Sequence, residues 1–439
     1  MTTKEKYDLA KWVMQTALDK GAQEVSVNIF SGQSSSVEVR NEKIDKLEQA
    51  NQAGMSVRLI VDRKYSVHST NRLDNRNELA SFLEEAIAGT KYLSEDEYRS
   101  LPDPALYYRG GGPYLETFDP DFEKIAPDEK IKTAFSLEKE ILGTNNKIIS
   151  VTASYSDGLA SSVMITSNGF EGDTSNSYYG VSASVSVDGG DARPQSGWSD
   201  SSVFYNKLIP EGVASRALER AIRKIGQKKI SSGKMTMIVE NRLAGQLLRP
   251  LVSALSGSAI QQKNSFLVDS MDKQVGSDIL ELVDDPFIPS GRGSKHFDNE
   301  GLALSKRTVF EKGVLRSYYI DTYYGKKLGM DPTSGSTSNV VLGAGSRSLE
   351  EILSSLDRGI LISGFNGGNT NGATGDFSYG IEGFLIENGK EIQPVSEMNI
   401  TGNMKDLWMS LVETGNDVYD KSSWRTPGLV FKDIDFSGK

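Results

Sequence analysis

Two of the side chains that most often carry protein chemistry are scarce in this sequence. Its 439 residues include no cysteine and only two histidines, His68 and His296. Without thiols there are no disulfides, thiolate zinc sites, iron–sulfur clusters or cysteine nucleophiles. Two histidines in unrelated segments leave few transition-metal arrangements open. The 59 acidic residues could supply ligands for magnesium or calcium, but their number alone brings none together. Serine is abundant, yet a serine nucleophile needs a positioned base, and neither histidine lies in a recognisable motif. His68 belongs to the alternating run Tyr65-Ser-Val-His-Ser, which reads as a strand; His296 belongs to Gly291-Arg-Gly-Ser-Lys-His-Phe-Asp, which reads as a loop. A structural or solvent-exposed role is the expectation for both.

The glycine-rich strings Gly364-Phe-Asn-Gly-Gly-Asn and Gly335-Ser-Thr-Ser-Asn lack the glycine-to-lysine spacing of a phosphate loop and read as tight turns or close strand approaches. Asp298, Glu300 and Asp321 are expected in hydrogen-bond networks at loops and strand ends. A formal net charge of -10 disfavours non-specific binding to nucleic acid, and no basic stripe or nucleic-acid motif is present. No window reaches the roughly 20 apolar residues of a membrane span, and the polar start MTTKEKYDLAKW does not read as a signal peptide. A cytoplasmic location is the expectation.

The elements that must position these residues follow an α+β pattern. A helix from about Lys4 to Lys20 precedes alternating segments around Val25–Ile29, Val37–Val39 and Met55–Ser69, and a second helix spans about Asn77 to Ile87. The order then repeats: a helix from about Asp128 to Leu142, strands from Ile148 with turns expected at Asp157-Gly158 and Asn168-Gly169, and a helix from Gly212 to Ile225. Helices followed by antiparallel strands, twice, predict an N-terminal α/β region over 1–228, in two subdomains (1–91 and 122–228) joined by a Pro/Gly/Tyr-rich connector on the surface. A β-rich C-terminal domain is expected over 229–439. There, Val314–Ile320 reads as a strand, Asn388-Gly389 as a hairpin turn and Ser348-x-x-Glu351 as a capping box. Arg249-Pro250, inside an apolar stretch, predicts a helix start or a kink.

Several ordered segments of the C-terminal half carry a resemblance: Asp298-Asn-Glu-Gly301, Val309-Phe-Glu-Lys-Gly-Val-Leu315, Tyr318-Tyr-Ile-Asp321, Asn371-Gly-Ala-Thr-Gly-Asp-Phe-Ser378 and Glu382-Gly-Phe-Leu-Ile-Glu-Asn-Gly389. With Arg40-Asn-Glu-Lys-Ile44 and Gly54-Met-Ser-Val-Arg58, the chain resembles the TldD/PmbA (TldE) family, once named modulators of DNA gyrase, along essentially its whole length. The resemblance implies an N-terminal α+β region and a β-rich region that bears the proteolytic site in active members. Those members carry His-Glu-x-x-x-His on a helix, where two imidazoles meet one zinc and the glutamate activates water.

The segment that resembles that helix is Leu247-Leu-Arg-Pro-Leu-Val-Ser-Ala254. Arg249 and Ala254 stand where the histidines would be and Pro250 where the glutamate would be; the additional thiolate expected in active members is missing too. None of these residues can ligate zinc or take a proton from water. The pattern is similar to the metal-free PmbA/TldE branch. It implies a chain with no metal or cofactor of its own, acting with a zinc-bearing TldD-like subunit on peptides or unfolded proteins. Within the Gly/Ser/Thr-rich stretch from Asp331 to Gly345, Ser334, Ser336, Thr337 and Asn339 are candidate peptide contacts. A homodimeric peptide-binding or scaffolding protein, and a standalone peptidase with an atypical site, are the alternatives.

Overall fold

Period-two alternation in the N-terminal half builds one large sheet. The structure, a computed structural model, describes residues 1–438. β1 (Glu24–Arg40), β2 (Lys43–Val61), β3 (Lys64–Thr70), β4 (Ile148–Thr166), β5 (Glu171–Val187) and β6 (Gln195–Ser202) form an antiparallel sheet in the order β3-β2-β1-β4-β5-β6. Residues 1–91 and 122–228 thus contribute adjacent strands to the same sheet.

Because successive side chains point to opposite faces, Val25, Val27 and Ile29 share one face while Ser26 and Asn28 share the other. Register extends the division across strands, with Ser26 opposite Arg58 and Thr166, and Ser162 opposite Thr174. Two helix pairs cover the apolar face. Leu9 and Val13 of α1 (Thr3–Asp19) and Leu79 and Leu83 of α2 (Arg76–Thr90) pack with Val25, Val27 and Leu59. Leu137 of α3 (Pro127–Ile141) and Ala217 of α4 (Val213–Arg223) pack with Tyr155, Val181 and Val185. The polar face turns toward the C-terminal half.

That half is β-rich as expected. Strands Lys390–Asn403, Asp376–Glu387, Arg358–Thr370, Gly233–Val239 and Leu429–Ser437 are neighbours in that order, and the first and last also pair, so the sheet closes on itself. Leu411–Thr414 adds an edge. The Asn388-Gly389 hairpin and the Ser348 capping box are both present. The string Gly364-Phe-Asn-Gly-Gly lies within a bulged strand, and a Cβ on Gly368, at φ +110, would fall 2.1 Å from the Ser378 carbonyl oxygen. Close strand approach explains that glycine.

Two local expectations fail. The turn at Asp157-Gly158 is absent, because β4 runs through it with Asp157 paired to Ser35 and Tyr179. The Asp157 carboxylate is buried and takes the Lys130 ammonium and the hydroxyls of Ser35 and Tyr155, so its charge is met between helix and sheet and needs no exposed turn. The stretch from Val314 to Ile320 pairs as a strand only at Val314 and Leu315, then runs into a short helix, Thr322–Leu328, capped by Asp321.

The segment from Tyr92 to Asp121 is tied down as a strap. Tyr108 N–H donates to the Gly301 carbonyl, Ser177 N–H donates to the Thr117 carbonyl, and Tyr107 and Leu115 are buried. Arg220 of α4 reaches the C-terminal half, donating to both Glu240 carboxylate oxygens at 3.0 and 2.8 Å, and Lys224 pairs with Glu382.

Candidate functional site

The strand Gly233–Val239 leads directly into α5 (Asn241–Ser253). Ala244, Leu247, Leu248, Leu251 and Val252 recur at helical spacing and enter the main C-terminal core. This leaves Gln246, Arg249 and Ser253 on the outer face. Pro250 neither starts nor ends the helix but stands inside it. It supplies no N–H to the preceding turn, and exposed Gln246 leaves the freed carbonyl to solvent. Ala254 caps the helix, donating its N–H to the Pro250 carbonyl.

The chemistry of these positions is not that of a zinc site. The Arg249 guanidinium lies 4.8 Å from the Trp424 ring centroid in a cation–π contact, and a permanent cation cannot ligate zinc. Ala254 is buried and offers no donor atom. Among the described residues, no three His, Cys, Asp or Glu side chains gather closely enough to hold a metal ion. Zinc therefore does not fit this helix. Replacing Arg249 with Ala is expected to cost less than about 1 kcal/mol in urea unfolding, the scale of one exposed cation–π contact.

The histidines and the central acidic residues have structural partners. His68 bonds the Ser66 hydroxyl, and burial lowers its pKa. His296 stacks on Tyr108 with ring centroids 5.1 Å apart and bonds the Pro113 carbonyl. Asp298 accepts the N–H groups of Glu300 and Leu302, Glu300 accepts both the N–H and hydroxyl of Thr322, and Asp321 caps a helix. Burial, the largest influence, raises the Glu300 pKa, with Asp298 and Asp321 adding to it.

The Gly/Ser/Thr-rich segment is organised around an ion pair. Arg307 lies 4.1 Å from the Tyr319 ring centroid, donates to the Asp284 carboxylate at 2.9 Å, and donates to the carbonyls of Thr333, Ser334 and Ser336. Asp284 also accepts the Ser338 N–H. Asn339, wholly buried, donates to the Asp285 carbonyl and accepts the Gly293 N–H. A Cβ on Gly293 would lie 2.2 Å from the Ser338 carbonyl oxygen, so only glycine lets these two segments meet. Ser334 and Asn339 thus spend their polar groups inside the fold. Ser336 accepts a hydrogen bond from Lys295 at 3.0 Å, and Thr337 lines a cavity between this segment and the polar face of the N-terminal sheet.

Sequence reasoning did not single out the cations of that cavity, Arg58, Arg292 and Lys295. The usable signal was the strand alternation that puts Arg58 on the same face as Ser56, and the two basic residues that precede His296 in a glycine-rich loop.

Comparison with known proteins agrees with this architecture. Family models described as the PmbA/TldA metallopeptidase domain 1, central domain and C-terminal domain match residues 25–89, 120–225 and 232–438. A relative named metalloprotease PmbA from Escherichia coli O157:H7 is 27% identical over 421 residues, spanning 95% of this chain and 92% of its own. A metalloprotease PmbA homolog from Haemophilus influenzae is 28% identical over 97% of this chain and 95% of its own. The crystal structure of a candidate modulator of DNA gyrase from Bacteroides thetaiotaomicron shares 49% identity and superposes with a TM-score of 0.97, with all of both chains covered. TldE from Thermococcus kodakarensis has the same fold, with a TM-score of 0.87 at 20% identity over 98% of this chain and all of its own. The chain belongs to the PmbA/TldD family of metallopeptidase-related proteins.

Proposed function

We propose that this chain is the non-catalytic subunit of a peptidase complex, acting beside a zinc-bearing relative on unfolded or modified peptides. The observation that carries this reading is α5, whose Arg249, Pro250 and Ala254 provide neither a metal ligand nor a base on a helix that otherwise packs as a well-formed core element. The peptidase names of its relatives connect the fold with peptide handling, and the missing donors support assigning the hydrolytic step to another chain.

Two further features support the reading. β3 pairs only with the stretch of β2 from Met55 to Val61, so among the described residues the outer edge of β2 from Lys43 to Gly54 has no neighbouring strand. An edge of that length offers main-chain groups to a partner subunit or an extended peptide, with Ile44 and Leu47 exposed along it. No helix among the described residues is long and apolar enough to cross a membrane, and the proposed setting is the cytoplasm.

The test is co-expression with a zinc-bearing TldD-like relative. A stable complex should form and cleave an unfolded peptide that this chain leaves intact alone. Failure to form the complex, or a complex no more active than the zinc-bearing subunit by itself, would count against the assignment.

A further inference from the structure

The cavity between the polar face of the N-terminal sheet and the C-terminal loops encloses about 580 Å³, within the roughly 300–1,000 Å³ typical of small-ligand sites. Three cations line it: Arg58 from β2, and Arg292 and Lys295 from the loop held against Ser338. Their hydrogen bonds go to uncharged groups. Arg58 donates to the Asn299 carbonyl at 3.0 Å, Lys295 to the Ser336 hydroxyl at 3.0 Å, and Arg292 to the Ser201 hydroxyl at 3.4 Å while lying over the Tyr178 ring. Among the described residues none of the three is in an ion pair. Asp298 is the one carboxylate in the lining, and its Oδ1 is already taken by two backbone N–H groups.

The neighbouring cavity, on another part of the same sheet face, provides a contrast. There Arg220 is paired with Glu240 and Lys224 with Glu382, and Arg242 lies over the Trp198 and Tyr419 rings. Two of the three cations lining that cavity are thus paired with carboxylates, whereas among the described residues none of Arg58, Arg292 and Lys295 is. Burial withdraws the Lys295 ammonium from water, a cost that lowers its pKa, with Asp298 and Asp284 pulling the other way. A bound anion would reverse that cost. The rest of the lining includes Ser26, Asn28, Thr174 and Asn176, uncharged groups that can donate to and accept from peptide amides.

We propose that this cavity is a carboxylate-binding site that takes a short segment of peptide, with Arg58, Arg292 and Lys295 holding its C-terminal carboxylate or an acidic side chain. The ligand class rests on the peptide-handling reading above; the charge preference rests on the cavity alone. The two can fail separately, because the test reads binding to the isolated chain and needs neither a partner nor cleavage.

Calorimetric titration of the full chain would use three tripeptides: Gly-Gly-Gly with a free carboxylate, its C-terminal amide, and the amide of Gly-Glu-Gly. Binding of the free acid but not its amide assigns the site to chain ends, and binding of the Gly-Glu-Gly amide assigns it to acidic side chains. In either case Arg292→Ala, at an exposed position, and Lys295→Met, which keeps the side-chain length, should each weaken binding by about tenfold or more, the worth of one charge-assisted hydrogen bond. Lys295→Arg should retain it. Equal binding of the uncharged amide, no binding of any of the three, or binding insensitive to both substitutions would overturn the proposal.

Discussion

Arg307→Ala is expected to destabilise the folded chain by about 3–5 kcal/mol, the cost of leaving a buried carboxylate without its partner. Asp284 is 1% exposed, and Arg307 is its ion-pair partner. The same guanidinium binds the carbonyls of Thr333, Ser334 and Ser336, so the substitution also loosens the segment that leads into Thr337 and Ser338 of the cavity lining. Arg307→Lys should recover only part of the loss, because an ammonium cannot bridge a carboxylate and several carbonyls with the geometry of a planar fork.

The effect has a pH signature. Burial, the largest influence, already pushes the Asp284 pKa above its ordinary value of 3.8 against the pull of Arg307. A carboxyl whose folded pKa is raised costs stability above its unfolded pKa, and that cost is relieved as pH falls. Removing Arg307 raises the folded pKa further, so the deficit of the variant relative to the parent should narrow as pH is lowered from 7 toward that raised value. Urea unfolding at several pH values checks this. A deficit that stays constant or widens on acidification would show that Asp284 is not the group left stranded.

Arg220→Ala is expected to cost a similar amount, again about 3–5 kcal/mol, but to act on the junction between the two halves. Arg220 and Glu240 retain only 16% and 12% of their side-chain exposure, and their contact ties α4 to the N-cap residue of α5. Arg220 also donates to the Ser363 carbonyl, on the strand beside Gly233–Val239. Without it, Glu240 remains largely buried and unpaired. Denaturant unfolding followed in single-tryptophan variants that keep Trp12 in the N-terminal half or Trp408 in the C-terminal core should separate into two transitions, whereas the same variants with Arg220 intact should show closer coincidence. A change below 1 kcal/mol with coincident transitions would mean that the ion pair does not couple the halves.

Much of this fold was legible in the sequence because local chemistry and tertiary role agree. Val25, Val27 and Ile29 alternate against Ser26 and Asn28, so both the strand and its two faces can be read directly. Ser348 and Glu351 cap a helix whether or not its surroundings are known. The middle of the great sheet was not legible. Ser31 to Ser36 and Lys43 to Ala53 are mostly polar, and what holds them extended is pairing with partners distant in sequence, such as Ser35 with both Gln49 and Asp157. Asp157-Gly158 was misread for the same reason: a turn-forming pair sits mid-strand because Lys130, from a helix elsewhere in the chain, neutralises it. Helix α5 could be singled out by resemblance, but the Arg249–Trp424 contact joins residues far apart in the chain. The cationic cavity was hidden likewise, since Arg58 and Lys295 meet only after the C-terminal loops dock on the sheet.

Zinc content and peptide cleavage measured on the same preparation of the isolated chain decide whether hydrolysis can be its own. After zinc loading and removal of excess metal, the chain should retain no stoichiometric zinc, and it should leave an unfolded peptide uncleaved with or without chelator. One tightly held zinc per chain, together with cleavage that a chelator abolishes and zinc restores, would contradict a non-catalytic role and make this chain the peptidase.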